Sequence, residues 1–224
     1  MTGTIINAAT VFAGGFLGTK IGSRLKDKTN ETVMHAVALV VLFLGIETAL
    51  KGDNLVAILL GLVLGGIIGE ACSLEDKLEQ LGNTIESKLH FSKGNFALGF
   101  VTTTILFCVG PMAILGSIED GLGQGYNILL TKSALDGLSS IAFGASLGIG
   151  VSFSAISILI YQGFWTLLAS FLSSFANAKV LASLSSAGGI LIIAIGLNML
   201  GISKIRVTNL LPGLIIAPLL ALLF

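Results

Sequence analysis

The 224-residue chain is too apolar for a soluble domain: 54% of its residues are hydrophobic and 11% are charged, against about 25% charged residues in an ordinary soluble domain. Its mean hydropathy is +0.98, and its 12 basic residues balance its 12 acidic ones. Such sparse and balanced charge excludes a nucleic-acid-binding surface. The composition predicts an all-α, polytopic transmembrane helical bundle, with residues 1–224 forming a single transmembrane domain in a lipid bilayer.

A helix that crosses a bilayer needs about 20 mainly apolar residues. Eight segments meet this requirement: residues 4–22, 34–50, 55–71, 95–116, 131–150, 154–176, 184–201 and 207–224. The first is predicted to be a retained span, because no basic residue precedes it and no cleavage signal follows it. Only a few glycines and serines separate the fifth segment from the sixth, so one long bent helix, and seven spans in all, is the alternative.

Residues 73–92, between the third and fourth segments, predict an amphipathic helix that lies along the cytoplasmic surface of the membrane. Leucines and an isoleucine recur at helical spacing, and the other faces carry Glu75, Asp76, Glu79 and Glu86. Attraction to anionic lipid explains an acidic polar face poorly. Docking on the protein's own bundle is the commoner outcome for such a helix, and recruitment of a cytoplasmic partner protein is the alternative.

Basic residues fall mainly in alternate loops, which indicates the orientation of the chain. Nine lie on one predicted side: Lys20, Arg24, Lys26, Lys28, Lys77, Lys88, Lys93, Lys204 and Arg206. Three lie on the other side: Lys51, Lys132 and Lys179. Since short cytoplasmic loops carry the excess, both termini are predicted outside the cytoplasm.

Two parts of the chain, residues 34–71 and 184–224, resemble each other. Residues 36–50 align without gaps on residues 187–201, which places Gly45 on Gly196 and Glu47 on Asn198. After a one-residue insertion, a stripe of three glycines aligns with three small residues: Gly61, Gly65 and Gly69 with Gly213, Ala217 and Ala221. Chance similarity of glycine-rich apolar helices is the alternative explanation. In the predicted topology the two parts run in opposite directions, an inverted repeat of the kind found in secondary transporters.

Ionisable groups are costly inside the hydrocarbon region, by about 2.5–3.5 kcal/mol at the centre of a helix. Glu47 and Asp136 are the candidates, and each has a lysine four positions away, Lys51 and Lys132. Either these acids belong to a functional site, or each forms an ion pair with a lysine that reaches the membrane surface.

Other residues also suggest a substrate site. Gly110 and Pro111 interrupt the fourth segment, where proline removes a backbone hydrogen bond and can leave a half-helix end that faces a substrate or ion; a kink healed by neighbouring helices is the alternative. Asn7, Gln162 and Asn198 are polar groups within apolar spans. The predicted substrate-binding residues are Asn7, Glu47, Gly110, Pro111, Asp136, Gln162 and Asn198.

No catalytic or cofactor motif is present in the sequence. His35 and His90 form no paired metal pattern, and the two cysteines, Cys72 and Cys108, form no CxxC motif. Neither a phosphate-binding loop nor a GxSxG nucleophile motif occurs. We therefore expect no enzyme activity, no cofactor and no metal.

Four stretches carry a family resemblance: GTIINAATVFAGGFLG, FCVGPMAILGSIEDGL, KSALDGLSSIAFGASLGIGVSFSA and GLNMLGISKIRVTNLLPGLIIAPLL. Together they resemble the bacterial domain-of-unknown-function family 554 over essentially the whole chain. The resemblance implies a multi-pass protein of the bacterial cytoplasmic membrane, and it supplies no substrate or reaction. The matching stretches contain Asn7, Gly110, Glu119, Asp120, Asp136, Asn198 and Asn209.

The predicted inverted repeat and the polar residues within apolar spans together favour a small secondary transporter or channel for a small polar solute or ion. A non-transporting membrane scaffold or regulatory protein that recruits a cytoplasmic partner is the alternative. We expect a homodimer, because short helices leave little perimeter to enclose a solute path in one chain.

Overall fold

Every regular element is a helix in the residues that the computed structural model describes, which are 1–52, 54–89, 96–169 and 178–223. The helices are α1 (Thr2–Gly22), α2 (Asp27–Ala49), α3 (Leu55–Ala71), α4 (Leu74–Leu89), α5 (Phe96–Cys108), α6 (Pro111–Gly121), α7 (Asn127–Leu147), α8 (Gly150–Leu167), α9 (Ala178–Met199), α10 (Val207–Leu210) and α11 (Gly213–Ala221). In lipid, a helix satisfies its backbone hydrogen bonds internally. The predicted all-α membrane bundle is confirmed.

The number of spans is lower than the predicted eight. Among the described residues, α1, α2, α8 and α9 are long and apolar enough to cross a bilayer, and the count rises to six if the bent pairs α3–α4 and α5–α6 are each one span. The segment α7 falls short because Lys132, Asp136 and several serines lower its hydropathy. The last predicted span is short and is divided near Pro212 into α10 and α11.

The start of α3 and the end of α7 follow from local chemistry. The side-chain oxygen of Asn54 caps α3 by accepting a hydrogen bond from the Ala57 N–H at 3.0 Å. Gly148, with φ of 81°, ends α7, so the fifth and sixth segments are two helices rather than one bent helix. The predicted amphipathic helix is observed as α4. Its predicted residues 90–92, and residues 170–176 of the sixth segment, lie outside the described residues.

The chain forms two compact units. Unit 1 comprises Met1–Met34 and Gly82–Ala176, and unit 2 comprises His35–Leu81 and Asn177–Phe224. In unit 1, α1 lies along α7 in the parallel direction: a Cβ atom built on Gly3 would meet the Leu129 side chain, and one built on Gly18 would meet the Ala145 backbone. Glycines thus let the two backbones approach closely over the full length of α1.

The contact between α1 and α8 is antiparallel. Near one end of the contact, the Thr4 and Thr166 hydroxyls form a hydrogen bond of 3.2 Å. Toward the other end, Gly15 packs against Ser152, whose backbone nitrogen lies 2.7 Å from the position of an added Cβ. These two contacts fix how residues on α1 and α8 face each other.

Unit 2 is held together by close antiparallel contacts, one of them between α2 and α9. A Cβ atom built on Gly45 would lie 2.8 Å from the Ile193 backbone nitrogen, and one built on Gly196 would lie 2.6 Å from the Leu42 side chain. Residue numbers rise along α2 as they fall along α9.

The contact between α3 and α11 follows the same plan. A Cβ atom built on Gly61 would lie 2.5 Å from Ala217, and one built on Gly65 would meet the backbone of Gly213. Gly69, one turn further, lies against the backbone of Asn209. The glycine stripe of α3 therefore serves a contact inside the chain.

Candidate functional site

A buried ion pair lies inside unit 1. The Lys132 Nζ atom lies 2.8 Å from the Asp136 Oδ2 atom, one helical turn away on α7, and the two side chains are only 8% and 9% exposed. A lysine that reached the membrane surface would be exposed. The ion-pair geometry anticipated from the i,i+4 spacing is present, and the pair is enclosed by protein.

Helix α1 supplies the next partner of this pair. The Asn7 Nδ2 atom donates a hydrogen bond of 3.1 Å to Asp136 Oδ2, and Asn7 is fully buried. Within the described part of the chain, the Asn7 Oδ1 atom accepts no hydrogen bond. One turn along, the Thr10 hydroxyl lies 3.2 Å from the backbone carbonyl of Ser133. Asn7 and Asp136, two of the predicted site residues, are thus in direct contact.

The predicted helix break also belongs to unit 1. Helix α5 ends at Cys108, Gly110 has an extended backbone (φ −76°, ψ 151°), and Pro111 begins α6. Proline suits this position because the N–H groups in the first turn of a helix have no partner within the helix, so its missing N–H costs no hydrogen bond. The α5 and α6 axes differ by 63°. Phe107, next to the end of α5, has its ring centroid 5.9 Å from Lys132 Nζ, so the break lies near the ion pair.

Gln162 on α8 is fully buried, and both of its side-chain polar atoms lack a hydrogen-bond partner among the residues that the structure describes. A buried amide without partners costs about 1–3 kcal/mol. Residues that keep such a cost are candidates for ligand contact. Gln162 therefore stands out among the predicted residues.

The two remaining predicted residues, Glu47 and Asn198, lie in unit 2. Glu47 is exposed on α2 and, within the described part of the chain, forms no ion pair with Lys51. Asn198 binds the following loop: its Oδ1 accepts from Ser203 Oγ and the Ile205 N–H, and its Nδ2 donates to the Ile205 carbonyl. Its observed contacts shape that loop.

A second charged cluster, which the sequence did not reveal, joins α3, α4 and the segment before α10. Arg206 forms ion pairs with Glu70 at 2.6 Å and Asp76 at 2.5 Å. Asp76, followed by the other nearby acids, raises the pKa of the Arg206 guanidinium above its ordinary value, so the charge persists across the physiological pH range. Glu75 accepts a hydrogen bond from the Thr208 N–H at 2.8 Å.

This cluster shows that the acidic start of α4 is bound within unit 2, as expected if the helix docks on its own bundle. No sequence signal could have paired Arg206 with Glu70, because the two are 136 positions apart. Among the described residues, no three His, Cys, Asp or Glu side chains converge as metal ligands.

Comparison with known proteins extends over nearly the whole chain. The family model described as "Protein of unknown function (DUF554)" matches residues 2–222. The chain is 35% identical over 222 residues to the "Uncharacterized membrane protein YdfK" of Bacillus subtilis (strain 168), covering 97% of this chain and 94% of that protein.

A second relative is the "Uncharacterized protein YqgA" of Escherichia coli (strain K12), 33% identical over 220 residues that cover 96% of this chain and 94% of that protein. No solved structure matches the chain. These matches agree with the apolar helices described above. The chain is a membrane protein and belongs to the DUF554 family of proteins of unknown function.

Proposed function

We propose that this protein is a secondary transporter or channel for a small polar solute or ion, and that the solute binds beside the Lys132–Asp136 pair in unit 1. The observation that carries the proposal is the enclosure of this pair, with Asn7, among helices of a membrane protein. Charged side chains within membrane helices face the interior or a hydrated path and mark routes of substrates and ions.

The broken helix supports the same site. The ends of α5 and α6 leave backbone groups outside regular helical bonding near Gly110, and Phe107 brings that break close to Lys132. Discontinuous helices of this kind supply polar groups to substrate sites in transporters, because half-helix ends carry partial charges.

An inverted repeat, which we propose for residues 34–71 and 184–224, is supported by paired contacts in unit 2. Under the sequence alignment, Gly45 corresponds to Gly196 and Leu42 to Ile193, and the two contacts are Gly45 with Ile193 and Leu42 with Gly196. Reciprocal contacts of this type are expected of units related by a twofold axis.

The second pair of helices repeats the pattern. Gly61 corresponds to Gly213 and Gly65 to Ala217, and the contacts are Gly61 with Ala217 and Gly65 with Gly213. The antiparallel direction of both helix pairs is what an axis in the membrane plane requires. We propose that both termini lie outside the cytoplasm and that the membrane is the bacterial cytoplasmic membrane.

Transport can be tested in proteoliposomes that contain the purified protein, with a panel of small polar solutes and monovalent ions. The double variant Lys132→Met with Asp136→Asn removes both charges together and is expected to abolish transport. The matched control is Lys28→Met with Glu31→Gln, which removes two exposed charges of opposite sign from α2 and should leave transport unchanged. If no solute or ion moves, or if the first double variant transports at the wild-type rate, the proposal is wrong.

The competing proposal, a scaffold that recruits a cytoplasmic partner through α4, loses part of its basis. Glu75 and Asp76 are already engaged by Thr208 and Arg206 inside unit 2. Glu79 is exposed and is the residue to test. A cytoplasmic protein that cross-links to the wild type in membranes and is lost on Glu79→Lys would favour the scaffold.

A further inference from the structure

We infer that the solute of the proposed site carries no net charge and is recognised through the carboxamide groups of Gln162 and Asn7. This inference rests on the proposed function and names the class of substrate. It starts from three atoms of two fully buried side chains that have no hydrogen-bond partner among the described residues: Asn7 Oδ1, Gln162 Oε1 and Gln162 Nε2.

Helix geometry places these two residues at similar heights along the contact between α1 and α8. The hydrogen bond between Thr4 and Thr166 fixes the antiparallel alignment. Asn7 lies three residues beyond Thr4, and Gln162 lies four residues before Thr166, which corresponds to about 4.5 Å and about 6 Å in the same direction at about 1.5 Å per residue. Both residues are buried, and each shares a helix face with one of the two threonines, at a spacing of three or four residues. This arrangement lets one small molecule reach both carboxamide groups.

The chemistry of the unpartnered atoms defines what that molecule must offer. Two carbonyl oxygens need hydrogen-bond donors, and one amide nitrogen needs an acceptor. An uncharged primary amide or a diol meets these requirements, and so does a zwitterion such as an amino acid. A simple metal cation would leave the Gln162 Nε2 atom unsatisfied, and a simple anion would leave both oxygens unsatisfied.

The charges beside this site also favour a substrate without net charge. Lys132 and Asp136 neutralise each other at 2.8 Å, and Asn7, which contacts Asp136, is uncharged. A buried net charge on a ligand would need an opposite charge to compensate its loss of hydration. Because the pair already compensates itself, a ligand without net charge is favoured.

The test uses three probes of nearly identical shape that differ in charge: acetamide, acetate and acetamidinium, together with glycine as a zwitterion. Their binding to the intact protein in lipid nanodiscs is measured by ligand-dependent thermal stabilisation up to high millimolar concentration. Acetamide or glycine should stabilise the protein, at a concentration at least about tenfold lower than acetate or acetamidinium requires. The variant Gln162→Met keeps the length of the side chain and should weaken that binding about 10- to 100-fold, the equivalent of one or two hydrogen bonds.

A second variant, Gln162→Glu, keeps the shape of this side chain but replaces its amide donor with a negatively charged acceptor oxygen, and it should shift the preference toward acetamidinium. The inference is overturned if a charged probe binds best to the wild type, if no probe binds, or if Gln162→Met binds acetamide and glycine as tightly as the wild type does. Transport assays separate this outcome from failure of the proposed function: a wild-type protein that transports only charged solutes is still a transporter, with the substrate class wrong.

Discussion

The buried pair in unit 1 allows a quantitative test of how charges are held in this protein. At 2.8 Å, the direct attraction between Lys132 and Asp136 is about 6 kcal/mol if the effective dielectric constant is about 20. Desolvation of both ions opposes most of this attraction. Removing one partner leaves the other charge buried, and we expect Lys132→Met or Asp136→Asn alone to lower the free energy of unfolding by about 3–5 kcal/mol.

The double variant should behave differently. Asparagine at position 136 keeps an oxygen that can accept the Asn7 hydrogen bond, and methionine at position 132 keeps most of the lysine stem. We therefore expect the double variant to lie within about 1–2 kcal/mol of the wild type, which is a coupling energy of at least about 3 kcal/mol. Denaturant titration in detergent micelles measures all four proteins. Additive losses would refute the reasoning, because they would mean that the two charges are not stabilised by each other.

Three further outcomes are expected. Gly65→Ala places a methyl group against the Gly213 backbone and should lower the free energy of unfolding by about 1–3 kcal/mol. The control Gly66→Ala should change it by less than about 1 kcal/mol. Equal effects of the two variants in denaturant titration would contradict the packing described. Gln162→Met removes a buried amide that has no partner among the described residues and should raise the free energy of unfolding by about 1–2 kcal/mol. A lower free energy of unfolding would show that the amide has partners. Asn198→Ala deletes the hydrogen bonds that hold the following loop and should speed amide hydrogen exchange of residues 200–206 about tenfold or more; unchanged exchange would count against that role.

Predictions from the sequence were accurate where a local pattern decides the structure. The apolar run at residues 55–71 is α3 as predicted, and the proline at position 111 begins a helix after a break. The i,i+4 spacing of Lys132 and Asp136 correctly placed them within hydrogen-bonding distance. Each of these features depends on residues close together in the chain.

Features that depend on distant residues could not be predicted. Nothing near Asn7 in the sequence shows that it binds Asp136, and nothing near Arg206 shows that it binds Glu70. The predicted span count was too high because two segments fall short of a full span: α7, whose hydropathy its polar residues lower, and the last segment, which is divided near Pro212 into α10 and α11. Glu47 and Asn198 were predicted as site residues because each is polar within an apolar span, and the sequence does not show that Glu47 is exposed or that Asn198 binds the following loop.

The order in which the chain is synthesised limits when each of the two units can form its internal contacts. Asn7 and Asp136 are 129 positions apart, and Asn209 binds Glu70 across 139 positions. At about 5–20 residues per second, a ribosome needs about 6–26 s to reach Asp136 after Asn7. Helix α1 must therefore remain in the translocation machinery or the bilayer with its asparagine unpaired until α7 emerges. Since unit 1 also needs Thr166 and unit 2 needs α11, nascent chains that stop before these residues should be recognised as unfinished by membrane quality-control proteases.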